Sequence, residues 1–141
     1  EHLQSICQVE VKVAEDKEQP RPGVVYLAPP DYHLLIEHNY SLALSLDYRV
    51  NYSRPAIDLL FVSGAEAYQS GLIGVVMTGA NGDGACGLRR IKECGGLTVV
   101  QDPETAEADI MPLAAMAAVQ VDHIVALDRL GNFLNTMVMG Q

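Results

Sequence analysis

Tryptophan is absent from the 141 residues, phenylalanine occurs twice, and aromatic side chains make up only 6%. Charge is scarce as well, at 19%, and one sign is poorly represented: 9 lysines and arginines stand against 18 aspartates and glutamates, a net charge of −9. With no basic stripe anywhere, a phosphate backbone would be repelled, which excludes nucleic acid as a partner and disfavours an anionic membrane surface. No apolar run is long enough to insert in a membrane: the longest, Ile110 to Val119, contains Pro112 and falls short of the ~20 residues that a bilayer demands. The 3 cysteines, Cys7, Cys86 and Cys94, show no C-x-x-C spacing and follow no signal peptide. That pattern is expected of a protein kept in a reducing cytoplasm.

Apolar residues, in contrast, are plentiful at 49%. A chain of this length folds as one domain and buries ~68% of the surface it exposes when unfolded. Alternation over Cys7 to Val13 predicts a half-buried strand ended by Pro20 and Pro22, and Val24 to Ala28 a buried strand stopped by Pro29-Pro30. Leu34 to Glu37 and Leu42 to Asp47, flanking His38-Asn39-Tyr40, read as a β-hairpin with Leu42, Leu44 and Leu46 on one face. Pro55 opens a helix that ends near Gly71. Beyond it the pattern is regular: strand Leu72 to Met77, helix Ala85 to Cys94 stopped by Gly95-Gly96, strand Leu97 to Val100, helix Pro112 to Val119, strand His123 to Leu127, and a last helix from about Arg129. Strands alternating with helices predict an α/β fold in three layers, a mainly parallel sheet with helices on both faces, plus the hairpin. Ligands of such folds lie beyond the carboxyl ends of the strands, here loops 78–84 and 101–111.

The first of these loops reads TGANGDGACG from Thr78. Gly82 to Gly87 matches G-x-G-x-x-G, and Asp102 follows at the end of the next strand, the arrangement of a dinucleotide site. Two features oppose it. Gly82 comes four residues after Thr78 rather than directly off the strand, and Asp83 would set a carboxylate against the pyrophosphate. Two other readings stand beside it: Asp83 orients a histidine that activates a serine, or it caps the helix beginning at Ala85.

Several motifs occur in a fixed order: Pro22-Gly23-Val24-Val25-Tyr26-Leu27-Ala28-Pro29-Pro30-Asp31-Tyr32-His33-Leu34, Arg54-Pro55-Ala56-Ile57-Asp58-Leu59-Leu60-Phe61-Val62-Ser63, Gly74 to Gly84, Gln101-Asp102-Pro103-Glu104-Thr105-Ala106, and Met111-Pro112. Together they resemble the catalytic domain of CheB-type chemoreceptor protein-glutamate methylesterases. The resemblance implies a cytoplasmic carboxylic ester hydrolase of chemotaxis that frees receptor glutamates from methyl esters, with glutamine deamidation as a further activity, by a Ser-His-Asp triad and without a cofactor or metal. The substrate partners it implies are methylated receptor helices, and the regulatory partner is a phosphorylated receiver domain. The residue matching the family's triad aspartate in T-G-M-G-x-D-G is Asp83. Ala80 stands for its methionine and Asn81 for its second glycine, and Asn81 is expected to keep the turn through left-handed backbone angles. Thr78, Gly79, Ala80 and Met111 are expected to line the site, with Met111 either touching the ester methyl or filling the core.

The family's G-x-S-x-G-G turn and its following histidine have no counterpart. Ser5, Ser41, Ser45, Ser53, Ser63 and Ser70 lack flanking glycines, and His2 falls past the position of the family's histidine. Residues 1–141 are therefore expected to form a partial catalytic domain whose nucleophile and histidine lie upstream of Glu1. A nucleotide- or NAD-binding domain, or a non-catalytic homologue that binds receptors, remains as the alternative. His33 is expected to anchor the Pro29-Pro30 loop, His38 and His123 to sit in a turn and at a strand start, Asp58 and Glu104 to favour helix dipoles, and Cys86 and Cys94 to pack.

Overall fold

The computed structural model describes residues 9–51 and 53–139. Cys7, Ser5 and His2 lie outside them. Strand β1 (Glu10–Val13) runs parallel to β2 (Val24–Leu27). Strands β3 (His33–Ile36) and β4 (Leu42–Ser45) form the hairpin, with Leu34 opposite Leu44. Helix α1 (Ile57–Tyr68) and a one-turn 3-10 helix, Gln69–Gly71, lead to β5 (Ile73–Val76). The remainder alternates: α2 (Ala85–Glu93), β6 (Leu97–Gln101), the 3-10 turn Pro103–Thr105, α3 (Ile110–Ala118), β7 (His123–Val125) and α4 (Leu127–Met139). Strands β5, β6 and β7 pair in parallel in that order, so the architecture is α/β. Among the described residues no helix is long and apolar enough to cross a membrane.

Two apolar clusters hold these pieces. The larger gathers Ala65, Val76, Leu88, Ile91, Val100, Met111 and Ala115, and the smaller Ala14, Leu34 and Leu42. Helix α1 serves both, sending Ile57 and Phe61 to the first and Leu60 to the second. Where α2 crosses β5, Gly74 admits it: a Cβ there would lie 2.4 Å from Ile91 Cδ1. Helix α2 stops as its sequence predicts. Gly95 adopts φ +90°, its N–H reaches Lys92 O, and the Gly96 N–H reaches Ile91 O, the paired bonds of a Schellman cap.

Four boundaries illustrate where the structure departs from the sequence reading. Strand β7 ends at Val125, not Leu127, because its partner β6 ends at Gln101, opposite Val125. The apolar residues that follow instead open α4, two residues before Arg129. Strand β4 ends at Ser45, whose Oγ accepts the Asp47 N–H, so Leu46 leaves the buried face and is 62% exposed. Helix α3 begins at Ile110, with Pro112 inside its first turn, where its missing N–H has no helical partner to lose.

The β6–β7 connection is fastened by Asp122. Its Oδ1 accepts Lys92 Nζ at 2.6 Å, and its Oδ2 accepts the buried Thr98 N–H at 2.9 Å and Thr98 Oγ1 at 3.0 Å. The Lys92 ammonium, with help from Thr98, holds this carboxyl below the ordinary aspartate value of 3.8. Removing it by Asp122→Ala leaves the Thr98 N–H unsatisfied, and urea unfolding at neutral pH is expected to show a loss of about 1–3 kcal/mol. The stabilisation is complete above 3.8 and is lost as the pH falls through the lowered value, so the gap between variant and parent is expected to narrow there.

Candidate active site

The loop leaving β5 is held from within. Asn81 Oδ1 accepts the Asp83 N–H at 2.9 Å, an Asx-turn. Asn81 is not among the residues with positive φ, so it keeps the turn with its side chain and not through the left-handed backbone expected of it.

Asp83 is 3% exposed. Its Oδ2 accepts the Ile57 N–H at 2.7 Å, and its Oδ1 accepts the Asp58 N–H at 3.0 Å and Asn51 Nδ2 at 3.3 Å. These backbone donors belong to the first turn of α1, whose N-cap, Ala56, has no side chain that could serve them. Asp83 therefore caps a helix, but α1 and not the helix it precedes. The service is returned. Asp58 Oδ1 accepts the N–H groups of Gly84 at 3.0 Å and Gly87 at 2.7 Å at the start of α2, whose N-cap is Gly84 at φ +101°. Each carboxylate sits at the positive end of the other's helix. A carboxylate offers about four acceptor positions. Among the described residues, the three donors named leave Oδ2 of Asp83 with one position unused.

This exchange removes the dinucleotide reading. The Gly84 and Gly87 N–H groups, which would have to cradle a pyrophosphate, are engaged by Asp58. Asp102, the candidate ribose ligand, accepts the Glu104 N–H at 3.0 Å as the cap of the Pro103–Thr105 turn.

Thr78, Gly79 and Met111 form a second connected group. Gly79 N–H donates to Ala108 O and Gly79 O accepts the Met111 N–H, both at 3.0 Å. Thr78 Oγ1 donates to Ala108 O at 3.1 Å and accepts the Ala108 N–H at 2.8 Å. Below them the fully buried Gln101 accepts the Thr78 N–H with Oε1 and donates to Thr105 O with Nε2. The loops after β5 and β6 are thus laced together at the carboxyl ends of their strands. Ala80 is exposed. Met111 is only 8% exposed and belongs to the core cluster, its side chain lying where a Cβ on Gly79 would fall 2.5 Å from its Cε. Of its two expected roles, burial gives it the packing one.

His33 is fully buried and donates from Nε2 to Tyr48 O at 2.9 Å, while its Nδ1 accepts the Ala56 N–H at 3.2 Å. It ties down the segment before α1 rather than the Pro29-Pro30 loop. His123 packs against Phe133 with ring centroids 4.8 Å apart and the rings tilted by 59°. Among the described residues no serine or histidine hydrogen-bonds Asp83, and no three His, Cys, Asp or Glu side chains converge as a metal site requires. Cys94 packs against the core, whereas Cys86 is exposed. Sequence reasoning missed the functions of Asn51 and Gln101, and saw in Asp58 only a dipole partner. No local pattern marks a residue by a partner 23 or more positions away, as Thr78 is from Gln101, Gly84 from Asp58 and Asp83 from Asn51.

A parallel α/β domain whose loops are fastened at the carboxyl ends of its strands belongs to the class of folds that carry their sites at that edge. The sequence profile described as CheB methylesterase matches residues 1–134, and the chain belongs to that family. Proteins from two strains of Leptospira interrogans, provisionally named protein-glutamate methylesterase/protein-glutamine glutaminase, are 52% identical over 128 residues, covering 91% of this chain and 66% of their own length. Protein-glutamate methylesterase/protein-glutamine glutaminase 2 of Syntrophus aciditrophicus is 36% identical over 98% of this chain and 41% of its own. The crystal structure of the Thermotoga maritima CheB methylesterase catalytic domain superposes with a TM-score of 0.89 at 33% identity, over 94% of this chain and 72% of that one. The chain thus spans just under two thirds of the Leptospira relatives and less than half of the Syntrophus one.

Asp83→Ala leaves the Ile57 and Asp58 N–H groups without acceptors inside the protein. Chemical denaturation is expected to show a loss of about 1–3 kcal/mol. Asp102→Ala, which uncaps only a single exposed turn, is expected to cost about 1 kcal/mol or less. Equal costs would mean that the clamp contributes nothing beyond an ordinary cap.

Proposed function

We propose that this chain is the larger part of a chemoreceptor protein-glutamate methylesterase domain, with glutamine deamidation as a second activity, and that Asp83 is the carboxylate of its Ser-His-Asp triad. The observation that carries the reading is the state of Asp83: buried in the loop beyond the carboxyl end of β5, fixed by two backbone N–H donors, with one acceptor position of Oδ2 unused among the described residues. A carboxylate so held can receive an imidazole N–H without reorganising, which fixes the tautomer of the base and stabilises the imidazolium.

In this reading the histidine and serine come from polypeptide outside residues 1–141. The serine attacks the glutamyl carbonyl, the histidine takes its proton and passes it to the leaving methoxide, and methanol departs. Water then cleaves the acyl-enzyme by the same route and frees the glutamate. With a glutamine substrate the leaving group is ammonia. Thr78, Gly79 and Ala80 form the wall of the site beside Asp83, and Met111 supports that wall from below. The substrate is a methylated helix of a receptor's cytoplasmic part, which sets the enzyme's place in the cytoplasm, and a phosphorylated receiver domain is its regulatory partner.

Asp83→Asn in the full-length protein is expected to lower methylesterase turnover per folded molecule about 10⁴-fold. Methanol release from methylated receptor measures it. A loss of tenfold or less would return Asp83 to a purely structural cap. Labelling of the full-length protein by a serine-directed fluorophosphonate is also expected, and its absence would favour a receptor-binding homologue without catalysis.

A further inference from the structure

Asn51 and Asp58 belong to no part of the mechanism just described, yet both hold the carboxylate on which it turns. Asn51 occupies a short turn closed by the paired hydrogen bonds of Val50 and Ser53, at 3.0 and 2.9 Å, and its backbone is left-handed at φ +53°. Its amide nitrogen reaches Asp58 Oδ2 at 2.9 Å and Asp83 Oδ1 at 3.3 Å. Two carboxylates of like charge share one donor. The sense of the amide is fixed, because its oxygen in that place would face two acceptors.

From this geometry we infer that Asn51 and Asp58 are positioning residues that select which oxygen of Asp83 faces the triad imidazole. The inference rests on Asp83 being the triad carboxylate. Asp58 N–H and Asn51 Nδ2 together fill both acceptor positions of Oδ1. Ile57 N–H fills one position of Oδ2, so among the described residues the remaining one is the place left for an incoming N–H. Asp58 keeps Asn51 in that orientation by accepting the second hydrogen of its amide through Oδ2, while its Oδ1 holds the start of α2. Without Asn51, Oδ1 regains an open position and the imidazole has two oxygens to choose from.

The test uses the full-length protein. Asn51→Gly removes the amide and tolerates φ +53°, so the turn is kept and the protein is expected to fold, with a lowered urea midpoint because Asp58 and Asp83 lose a shared donor. Its kcat is expected to fall tenfold to a hundredfold, on the scale that small misplacements cost, with KM unchanged. The far-downfield proton resonance of the imidazole N–H bound to Asp83 is expected to shift, which a merely structural role would not cause. Asp58→Asn retains an oxygen for Gly84 and Gly87 but turns an amide nitrogen towards Asn51, and is expected to show the same two effects. If both variants keep the parent's kcat and resonance while Asp83→Asn abolishes turnover, the inference is overturned and the triad reading stands. If Asp83→Asn costs tenfold or less, the triad reading fails and takes the inference with it.

Discussion

Helices α1 and α2 begin within reach of each other, and each start leaves backbone N–H groups that no residue of its own helix can satisfy. The protein resolves both deficits by exchange, Asp83 serving α1 and Asp58 serving α2. Two neighbouring carboxylates would repel in isolation. Here each lies against the positive end of a helix and both touch the Asn51 amide, so the local field favours them. The exchange also fixes how the helices cross, since sliding or rotating either one breaks bonds at both starts. Gly87 makes the approach possible: a Cβ there would fall 2.5 Å from Phe61 Cβ and 3.1 Å from Asp58 Oδ1. The glycines that imitate a phosphate-binding loop are thus spacers for helix packing and open N–H donors for a carboxylate of the same chain.

In the proposed reading, stability and chemistry use the same atoms. An orienting carboxylate has to be rigid before the reaction starts, because any reorganisation during proton transfer would be charged against the barrier. Rigidity is obtained here from backbone donors, which cannot rotate away as side chains can. The loops after β5 and β6 follow the same logic, with Thr78, Gly79, Ala108 and Met111 joined through main-chain groups and one hydroxyl.

Much of this was legible in the residues. Unbroken apolar runs between helical stretches gave the alternating β5–α2–β6–α3–β7 order, Gly95-Gly96 marked the end of α2, and the position of Asp83 just past a strand singled it out. Errors arose where a local pattern met a distant partner. Ala126-Leu127 reads as a continuation of β7, but β6 has no residue left to pair with it beyond Gln101. Asp83 reads as the cap of the following helix, but the N–H groups it accepts lie 25 and 26 positions earlier. Asn51 carries no signal at all, because a lone asparagine in a turn looks the same whether its amide meets water or two carboxylates.

Gln101 has a consequence for how this scaffold can be altered. A side-chain amide sealed in the interior must keep both of its partners, one on each loop, and neither partner loop can be reshaped without stranding the other half of that amide. Segments 78–84 and 101–109 therefore form one mechanical unit, and grafting either alone would import half of a lock.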